Sequence, residues 1–344
     1  MKTRISVIIP VYNVHEFLEE CVDSVLAQTI NNKSLDDGYD RNLQIILVDD
    51  GSTDNSGEMA KEYAKKHENI EYVYEENQGL GHARNYGCEF AEGDYIVFLD
   101  SDDWVPPKAY ERMYNSAIRD GSDFVVGGVW RYNSRINWIP KIHKKVFSTA
   151  KEVTHISETP ELFYDTTAWN KLIKRSFWEE NEFKFPEGIL YEDIPVTMPM
   201  HFIANKVSIV YETCYMWRLR EGKSKSITQT TDEVKTLEDR LFVMGKVDEF
   251  FKENVEDPKM HIVKDVKWLT VDLMLFVEKL NSMVEEDSVE ITNTMKEYIK
   301  SSINPECFEY LNEFDQLKYE YLMNDEFDRL VKLINFENLH LSIV

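Results

Sequence analysis

Apolar runs alternate with helical periodicity over residues 4–130. Five short runs are rich in β-branched and other apolar residues, as expected of buried strands: residues 5–9, 45–48, 70–74, 95–99 and a run that begins at Phe124. Between them, apolar positions recur at helical spacing in residues 16–28, 55–67, 81–91 and 107–119. Apolar strands that alternate with helices predict an α/β fold with a mainly parallel sheet covered on both faces.

The pattern changes twice after this region. Residues 131–228 are less regular, with one further strand predicted from Lys206 to about Trp217. From Thr231 onward, helix-period patterns replace the strand signal. We therefore expect an α/β domain over residues 1–228, followed by a helical C-terminal region over residues 229–344.

Composition and charge narrow the class of protein. The 344 residues are 43% hydrophobic, enough for a substantial core, and acidic residues outnumber basic ones by 63 to 39. A net charge of -24 disfavours nucleic acid and anionic lipid as partners. The four cysteines form no C-x-x-C pair, which argues against a zinc site. With no signal peptide and no uncharged run of about 20 residues, we expect a cytoplasmic protein without a transmembrane segment.

Carboxylates follow two of the predicted strands. Asp49 and Asp50 come after the second strand, and Asp100, Asp102 and Asp103 come after the fourth. Ligands of open α/β sheets bind beyond the carboxyl ends of the strands. Crowded carboxylates repel one another, and a divalent cation relieves that repulsion. Oxygen-only ligands suit Mg²⁺ or Mn²⁺, which share their shell with substrate phosphates, so the sequence predicts a metal site for a diphosphate substrate.

Part of this pattern has a second interpretation. Asp49 and Asp50 begin a sequence that is equally typical of a turn followed by a helix cap. Three acids within four residues at the end of an apolar strand serve packing badly, so for Asp100–Asp103 we favour metal binding. Neither G-x-G-x-x-G nor a P-loop sequence follows the first strand, which disfavours dinucleotide-binding and P-loop folds.

Four segments in this order resemble the family 2 glycosyltransferases of the GT-A fold: residues 6–13, 48–54, 79–85 and 100–103. The resemblance implies an inverting enzyme that uses a nucleotide sugar, most often linked to UDP. It implies that Asp100 contacts the ribose or the metal and that Asp102 is the direct metal ligand. The residues that it implies around the uracil ring are Pro10, Tyr12, Asp49, Asp50 and Arg84.

The resemblance continues more loosely in the second half. Residues 191–193 are similar to the family's Glu-Asp pair, which implies Asp193 as the catalytic base, although acids at the start of a helix also stabilise its dipole. Residues 218–226 are similar to the loop that closes on the diphosphate, which implies contacts from Arg220, Ser224 and Ser226. This basic segment of an acidic chain is also compatible with a solvated surface loop. Residues 169–172 resemble a segment of bacterial polysaccharide and teichoic-acid transferases.

We therefore expect a metal-dependent, inverting hexosyl- or N-acetylhexosaminyltransferase. It would move a sugar from a UDP-sugar to a hydroxyl of a carbohydrate or cell-envelope polymer. Residues 1–130 would bind the nucleotide, residues 131–228 would carry the acceptor and catalytic half, and the helical region would bind acceptor or form homo-oligomers. The alternatives are a sugar nucleotidyltransferase, which would need a glycine-rich phosphate loop, and a non-catalytic protein that binds nucleotide sugars.

Overall fold

The computed structural model describes residues 2–35, 37–149, 151–221 and 233–341. The chain divides into two compact units, Met1–Lys225 and Ser226–Val344. The first unit carries all the strands of the described residues, and the second carries helices only. Among the described residues, no helix is both long enough and apolar enough to span a bilayer.

A single nine-stranded sheet forms the centre of the first unit. Its strands are β1 (Thr3–Val11), β2 (Arg41–Asp50), β3 (Ile70–Glu75), β4 (Gly93–Phe98), β5 (Phe124–Tyr132), β6 (Asn137–Trp138), β7 (Val153–Thr154), β8 (Lys171–Lys174) and β9 (Val207–Arg218). Their order is β3-β2-β1-β4-β8-β5-β9-β7, with β6 paired to β5. The helices of this unit are α1 (Leu18–Leu26), α2 (Ser56–Lys66), α3 (Leu80–Glu89), α4 (Ala109–Asp120), α5 (Lys141–Thr149), α6 (Arg175–Glu180) and α7 (Ile194–Ile203).

The half of the sheet formed by β1 to β4 is parallel, as the apolar runs predict. Strand β1 pairs in parallel with both β2 and β4, and every residue of β1 is buried. From β1 the chain continues to β2 and β3 on one side of the sheet and then crosses to β4 on the other side. At such a point the carboxyl ends of the strands flank a crevice of the kind in which α/β proteins bind ligands. The acids that follow β2 and β4 therefore lie at the same edge of the sheet.

The other half is mixed, because the short strand β8 lies between β4 and β5. It runs antiparallel to both neighbours, whereas β5 and β9 are parallel to each other. A strand of four residues, Lys171–Lys174, is too short to show a period of two, which is why periodicity alone gives no signal for it. The fold is thus the expected sheet flanked by helices, with antiparallel pairs in its second half.

Strand β8 begins with a buried ion pair. The Nζ atom of Lys171 donates to Oδ2 of Asp165 at 2.7 Å, and both side chains are completely buried. Asn170 donates to the other carboxylate oxygen at 2.9 Å. The buried imidazoles of His143 and His201 lie 3.7 and 3.9 Å from the same carboxylate. We refer to these five residues as the Asp165 cluster.

The second unit is a set of helices with its own buried charges. Its α-helices are α8 (Glu233–Asn254), α9 (Pro258–Lys267), α10 (Met274–Val277), α11 (Glu285–Ser302), α12 (Glu313–Met323) and α13 (Phe327–Leu341). A π-helical turn, Trp268–Asp272, follows α9. Asp272 is completely buried there, and its two oxygens accept from Arg240 at 2.8 Å and from Lys267 at 2.7 Å. The aromatic residues Trp268 and Phe276 are core residues, as the sequence indicates.

Candidate active site

The acids that follow β4 are each bound to an arginine from elsewhere in the chain. Oδ1 of Asp100 accepts a hydrogen bond from Nη2 of Arg84, on α3, at 2.8 Å. Oδ2 of Asp102 accepts from Nε of Arg220, just beyond β9, at 2.7 Å. The structure therefore brings together two pairs of residues that the sequence analysis singles out separately. We refer to Asp100, Asp102 and Asp103 as the acidic edge.

Asp103 anchors the acidic edge to β9. Its buried carboxylate accepts from the hydroxyl of Tyr215 and from the backbone N–H of Arg218, both at 2.6 Å. The Nε atom of Arg218 in turn donates to the carbonyl oxygen of Asp102 at 2.7 Å. Asp103 is not among the predicted site residues, although it belongs to the same acidic run. These contacts fix the loop that presents Asp100 and Asp102.

The acidic edge is short of positive charge. Burial raises the pKa of Asp102, the charge of Asp100 adds to the rise, and Arg220 opposes it. Burial also raises the pKa of Asp103 well above its usual value, with further contributions from Asp102 and Asp100. A raised carboxyl pKa means that the ionised form is under-stabilised. An added cation would therefore be favoured at this edge.

The donor set suits a hard divalent cation that shares its shell with a substrate. No cluster of three or more Asp, Glu, His or Cys side chains suited to a metal occurs in the part of the chain that the structure describes. Mg²⁺ and similar ions are commonly held by one or two carboxylates, with water and substrate phosphates completing the shell. The carboxylates of Asp102 and Asp100 provide a set of this kind. The residues present therefore fit Mg²⁺ or Mn²⁺ in the company of a diphosphate.

Arg84 connects the acidic edge to the segment before α7. Only 1% of this residue is exposed, and its Nη1 atom donates to Oε1 of Glu192 at 2.6 Å while its Nη2 atom binds Asp100. Arg84 is a predicted uracil contact, and in the structure both ends of its guanidinium are bound to acids. The sequence gives no signal for the Arg84–Glu192 pair, because the two residues are 108 positions apart.

Glu192 and Asp193 have different surroundings although they are adjacent. Glu192 is buried, and burial raises its pKa to about 7; Arg84 opposes the rise and Asp193 adds to it. Asp193 is partly exposed and takes the N-cap position of α7. Tyr191, just before the pair, has a φ of 64°, a left-handed conformation that side chains rarely adopt without support from their surroundings. The pair is therefore held in a defined conformation.

Asp49 and Asp50, at the end of β2, accept hydrogen bonds from within the chain. Asp49 accepts from the backbone N–H of Ser52 at 2.9 Å and from the hydroxyl of Tyr72 at 2.8 Å. Asp50 accepts from the backbone N–H groups of Gln78 and Gly79 at 2.7 and 3.0 Å. The Asp50 bonds join the end of β2 to the turn that leads into α3. Only the Asp49–Ser52 bond is that of a local turn, and Asn55, the N-cap of α2, makes no side-chain cap hydrogen bond. Contact of Asp49 and Asp50 with the nucleotide stays a prediction.

Four predicted residues remain: Pro10 and Tyr12 lie at the carboxyl end of β1, and two serines lie outside the described residues. Pro10 is buried in β1 beside Val48 of β2, whereas Tyr12, beyond the end of β1, is 44% exposed. Ser224 and Ser226 lie outside the described residues. The exposed ring of Tyr12 is available to a ligand, while Pro10 can contribute through its backbone carbonyl or a small part of its ring.

Known proteins share both the sequence and the fold. GlyA, a glycosyltransferase of Streptococcus pneumoniae, is 33% identical over 64% of this chain, which spans 31% of GlyA. A poly(ribitol-phosphate) beta-glucosyltransferase of Bacillus spizizenii is 32% identical over 67% of this chain, which spans 34% of that protein. The chain thus covers about a third of the length of these relatives. The crystal structure of S. aureus TarS 1-349 in complex with UDP-GlcNAc matches with a TM-score of 0.76 and 18% identity, covering 98% of this chain and 92% of that one.

The sequence profile described as Glycosyl transferase family 2 matches residues 6–181, which contain most of β1, all of β2 to β8 and the acidic edge. The match covers half of the chain and includes the four segments on which the resemblance rests. The TarS structure supports the same fold, with a sheet flanked by helices and a helical C-terminal region. The chain belongs to glycosyl transferase family 2.

Proposed function

We propose that the protein transfers a sugar, with inversion, from a UDP-sugar to a hydroxyl of a carbohydrate or cell-envelope polymer. The observation that carries the proposal is the charge-deficient acidic edge at the crevice of a family 2 chain, with Arg220 bound to Asp102. A diphosphate accompanied by a divalent cation matches this edge in charge and in ligand chemistry. The UDP-GlcNAc named with the TarS structure supports a uridine nucleotide.

The reaction would be a single displacement at the anomeric carbon of the donor sugar. The carboxylate of Asp193 would accept the proton of the acceptor hydroxyl as that oxygen attacks. The attack comes from the side opposite the leaving diphosphate, so an α-linked donor would give a β-linked product. Arg220 would bind the diphosphate and neutralise the charge that builds up as it leaves. A cation bound by Asp102 and Asp100 would supply further charge stabilisation there.

The surroundings of the two neighbouring acids favour Asp193 over Glu192 as the base. A carboxyl pKa of about 7 would suit a general base. However, Glu192 is 6% exposed and bound to Arg84. A base must reach the proton that it removes, so geometry comes before pKa. Glu192 is then a positioning residue that, through Arg84, joins the catalytic segment to Asp100.

Family membership favours transfer of the sugar over transfer of the nucleotide. The chain lacks the glycine-rich loop that a sugar nucleotidyltransferase would need after β1. A non-catalytic protein that binds nucleotide sugars would have no use for an acceptor-side base. Measured turnover therefore separates the proposal from that alternative.

Calorimetry with UDP and an assay of UDP release test the proposal together. We expect UDP to bind the wild type more tightly in Mn²⁺ than in EDTA, and UDP-sugars to release UDP in the presence of Mn²⁺. Asp102→Asn should lose the metal dependence. The matched control is Asp94→Asn, at the opposite end of β4, where the carboxylate accepts from Tyr39 at 2.5 Å. Equal UDP affinity in Mn²⁺ and EDTA would contradict the metal role, and no UDP release from any UDP-sugar would contradict the function.

A further inference from the structure

The side chain of Arg131, near the carboxyl ends of β5 and β9, lies beside two tryptophan rings. Arg131 lies opposite Trp217 of β9 and Trp138 of β6. Its guanidinium carbon is 4.2 Å from the centre of the Trp217 ring and 6.0 Å from that of Trp138. Successive side chains of a strand point to opposite faces, so the aromatic residues on the face that carries Arg131, which we call the aromatic patch, are Trp138 and Trp217.

A stack of rings links Arg131 to the acidic edge. The ring of Trp217 lies 5.5 Å from that of Trp169, which stacks on Tyr215 at 4.1 Å. The hydroxyl of Tyr215 binds Asp103. Arg131 is therefore placed by the same strand, β9, that fixes Asp103 and leads into Arg220. It is not at the donor crevice, since β8 and β5 lie beyond β4 in the sheet.

Arg131 differs from the arginines of the acidic edge in its partners. In the described parts of the chain, no Asp or Glu oxygen lies within ion-pair distance of its guanidinium, and its Nε atom is sealed from solvent without a hydrogen-bond partner. Burial lowers the pKa of Arg131, and the nearby charge of Asp103 opposes the shift. By contrast, Arg84 and Arg220 are both bound to carboxylates.

An unpaired, half-buried guanidinium is costly, and this chain has acids in excess, 63 against 39 basic residues. A carboxylate partner would therefore be easy to supply if Arg131 served packing alone. Aromatic faces hold the planar fork in one orientation, and a fork presented in this way matches phosphate or carboxylate with two hydrogen bonds. The apolar faces of sugar rings can pack against the aromatic side chains beside it.

We propose that Arg131 and the aromatic patch bind an anionic group of the acceptor, so that the acceptor is a glycan or polyol polymer that carries phosphate or carboxylate groups. This inference rests on the proposed function, whose acceptor it specifies. Phosphate and carboxylate share the chemistry that the guanidinium recognises, and the experiment separates them. The donor diphosphate is a different ligand at a different part of the sheet, and its affinity is measured as well.

The test compares Arg131→Gln with Arg135→Gln in the full chain. Arg135 is exposed on the turn between β5 and β6, so its substitution removes the same charge outside the aromatic patch. Initial rates are measured at saturating UDP-sugar with three acceptors: a neutral oligosaccharide, a polyol-phosphate oligomer and a uronic-acid oligomer. UDP affinity is measured by calorimetry for each variant.

We expect Arg131→Gln to raise KM for the preferred anionic acceptor by about 10- to 100-fold, as the loss of a charged hydrogen bond implies, with a smaller change in kcat. Its UDP affinity and its KM for the neutral acceptor should stay the same, and Arg135→Gln should behave like the wild type. Added salt should raise the wild-type KM for the anionic acceptor more than that of Arg131→Gln. The oligomer that shows the selective effect identifies phosphate or carboxylate.

Three results would overturn the inference. The first is an equal rise in KM for the neutral and anionic acceptors, which would mean a structural role. The second is a matching loss of UDP affinity, which would place Arg131 at the donor. The third is wild-type behaviour of Arg131→Gln with every acceptor that the wild type uses. Failure of the wild type to release UDP from UDP-sugars, with acceptor or with water, would instead contradict the proposed function itself.

Discussion

The buried carboxylate of Asp165 and the carboxylates of the acidic edge, both in the first unit, are treated in opposite ways. In the Asp165 cluster, burial disfavours the charge, but the ammonium of Lys171 outweighs burial and lowers the pKa of Asp165. At the acidic edge, burial prevails and the pKa values of Asp102 and Asp103 are raised. The charge of Asp165 is neutralised by Lys171, whereas the charges of the acidic edge are only partly neutralised.

The difference separates a structural role from a functional one. A buried charge with a complete set of partners fixes the packing of the segments that supply them, here the loop before β8 and helices α5 and α7. Asp272 in the second unit, with Arg240 and Lys267, follows the same rule. A group of carboxylates left short of positive charge is less stable by itself and favours a ligand that brings the missing charge. Substitutions in the two groups should therefore affect different properties.

The largest effect is expected from Lys171→Met. Removing the ammonium leaves the carboxylate of Asp165 buried and unpaired, which should lower the free energy of unfolding by about 3–5 kcal/mol. Urea unfolding measures it. The control is Lys174→Met at the exposed end of the same strand, which should change stability by less than about 0.5 kcal/mol. If both variants lose the same stability, the Asp165 cluster does not have the structural role assigned to it here.

Asp193→Asn should have the largest effect on catalysis. It keeps the shape of the side chain and removes its basicity, so transfer should fall by at least about 100-fold. UDP affinity and the unfolding midpoint should stay close to those of the wild type, because the donor site and the packing are unchanged. Steady-state rates with calorimetry check both. Substantial transfer by Asp193→Asn, together with an inactive Glu192→Gln, would assign the base to Glu192.

Arg220→Ala tests the guanidinium that is bound to the carboxylate of Asp102. Turnover of UDP-sugar should fall by about 10- to 100-fold, since a charged hydrogen bond to the diphosphate is lost. The melting temperature should change little, because the pair is partly exposed and such pairs contribute little. Arg119→Ala removes an exposed arginine that is paired with Asp120 and serves as the control. Full activity of Arg220→Ala would show that this arginine is merely part of the surface.

The smallest expected effect is on how the free energy of unfolding depends on pH, and it concerns His201 of the Asp165 cluster. Burial lowers the pKa of His201 to about 3, and the charge of Lys171 adds to the shift. An unfolded histidine takes up its proton near pH 6.5, so this group contributes stability above that pH and loses it as the pH falls toward 3. From pH 7 to pH 5, the free energy of unfolding of the wild type should therefore fall by about 1–2 kcal/mol more than that of His201→Gln.

Urea unfolding at several pH values between 7 and 5 measures this difference. The control is His155→Gln, which removes a partly exposed imidazole outside the Asp165 cluster. Parallel curves for His201→Gln and the wild type would mean that the imidazole of His201 becomes protonated in the folded protein within this range.

The sequence determined the elements and the edge at which chemistry is placed. Apolar runs predict β1 to β4, helical periodicity predicts α1 to α4, and both are confirmed with ends that differ by a few residues. Four segments in order, residues 6–13, 48–54, 79–85 and 100–103, were enough to indicate the family. These features are local, because periodicity and motif spacing depend on residues close together in the chain.

The tertiary structure decided which distant side chains meet. It inserted β8 between β4 and β5, bound Arg84 to both Asp100 and Glu192, and placed Arg131 beside two tryptophan rings with no carboxylate of the described residues in ion-pair distance. None of these follows from spacing along the chain. Whether a charge is matched or left unmatched depends on all the segments that fold around it, and that balance separates structural acids from acids available to a ligand.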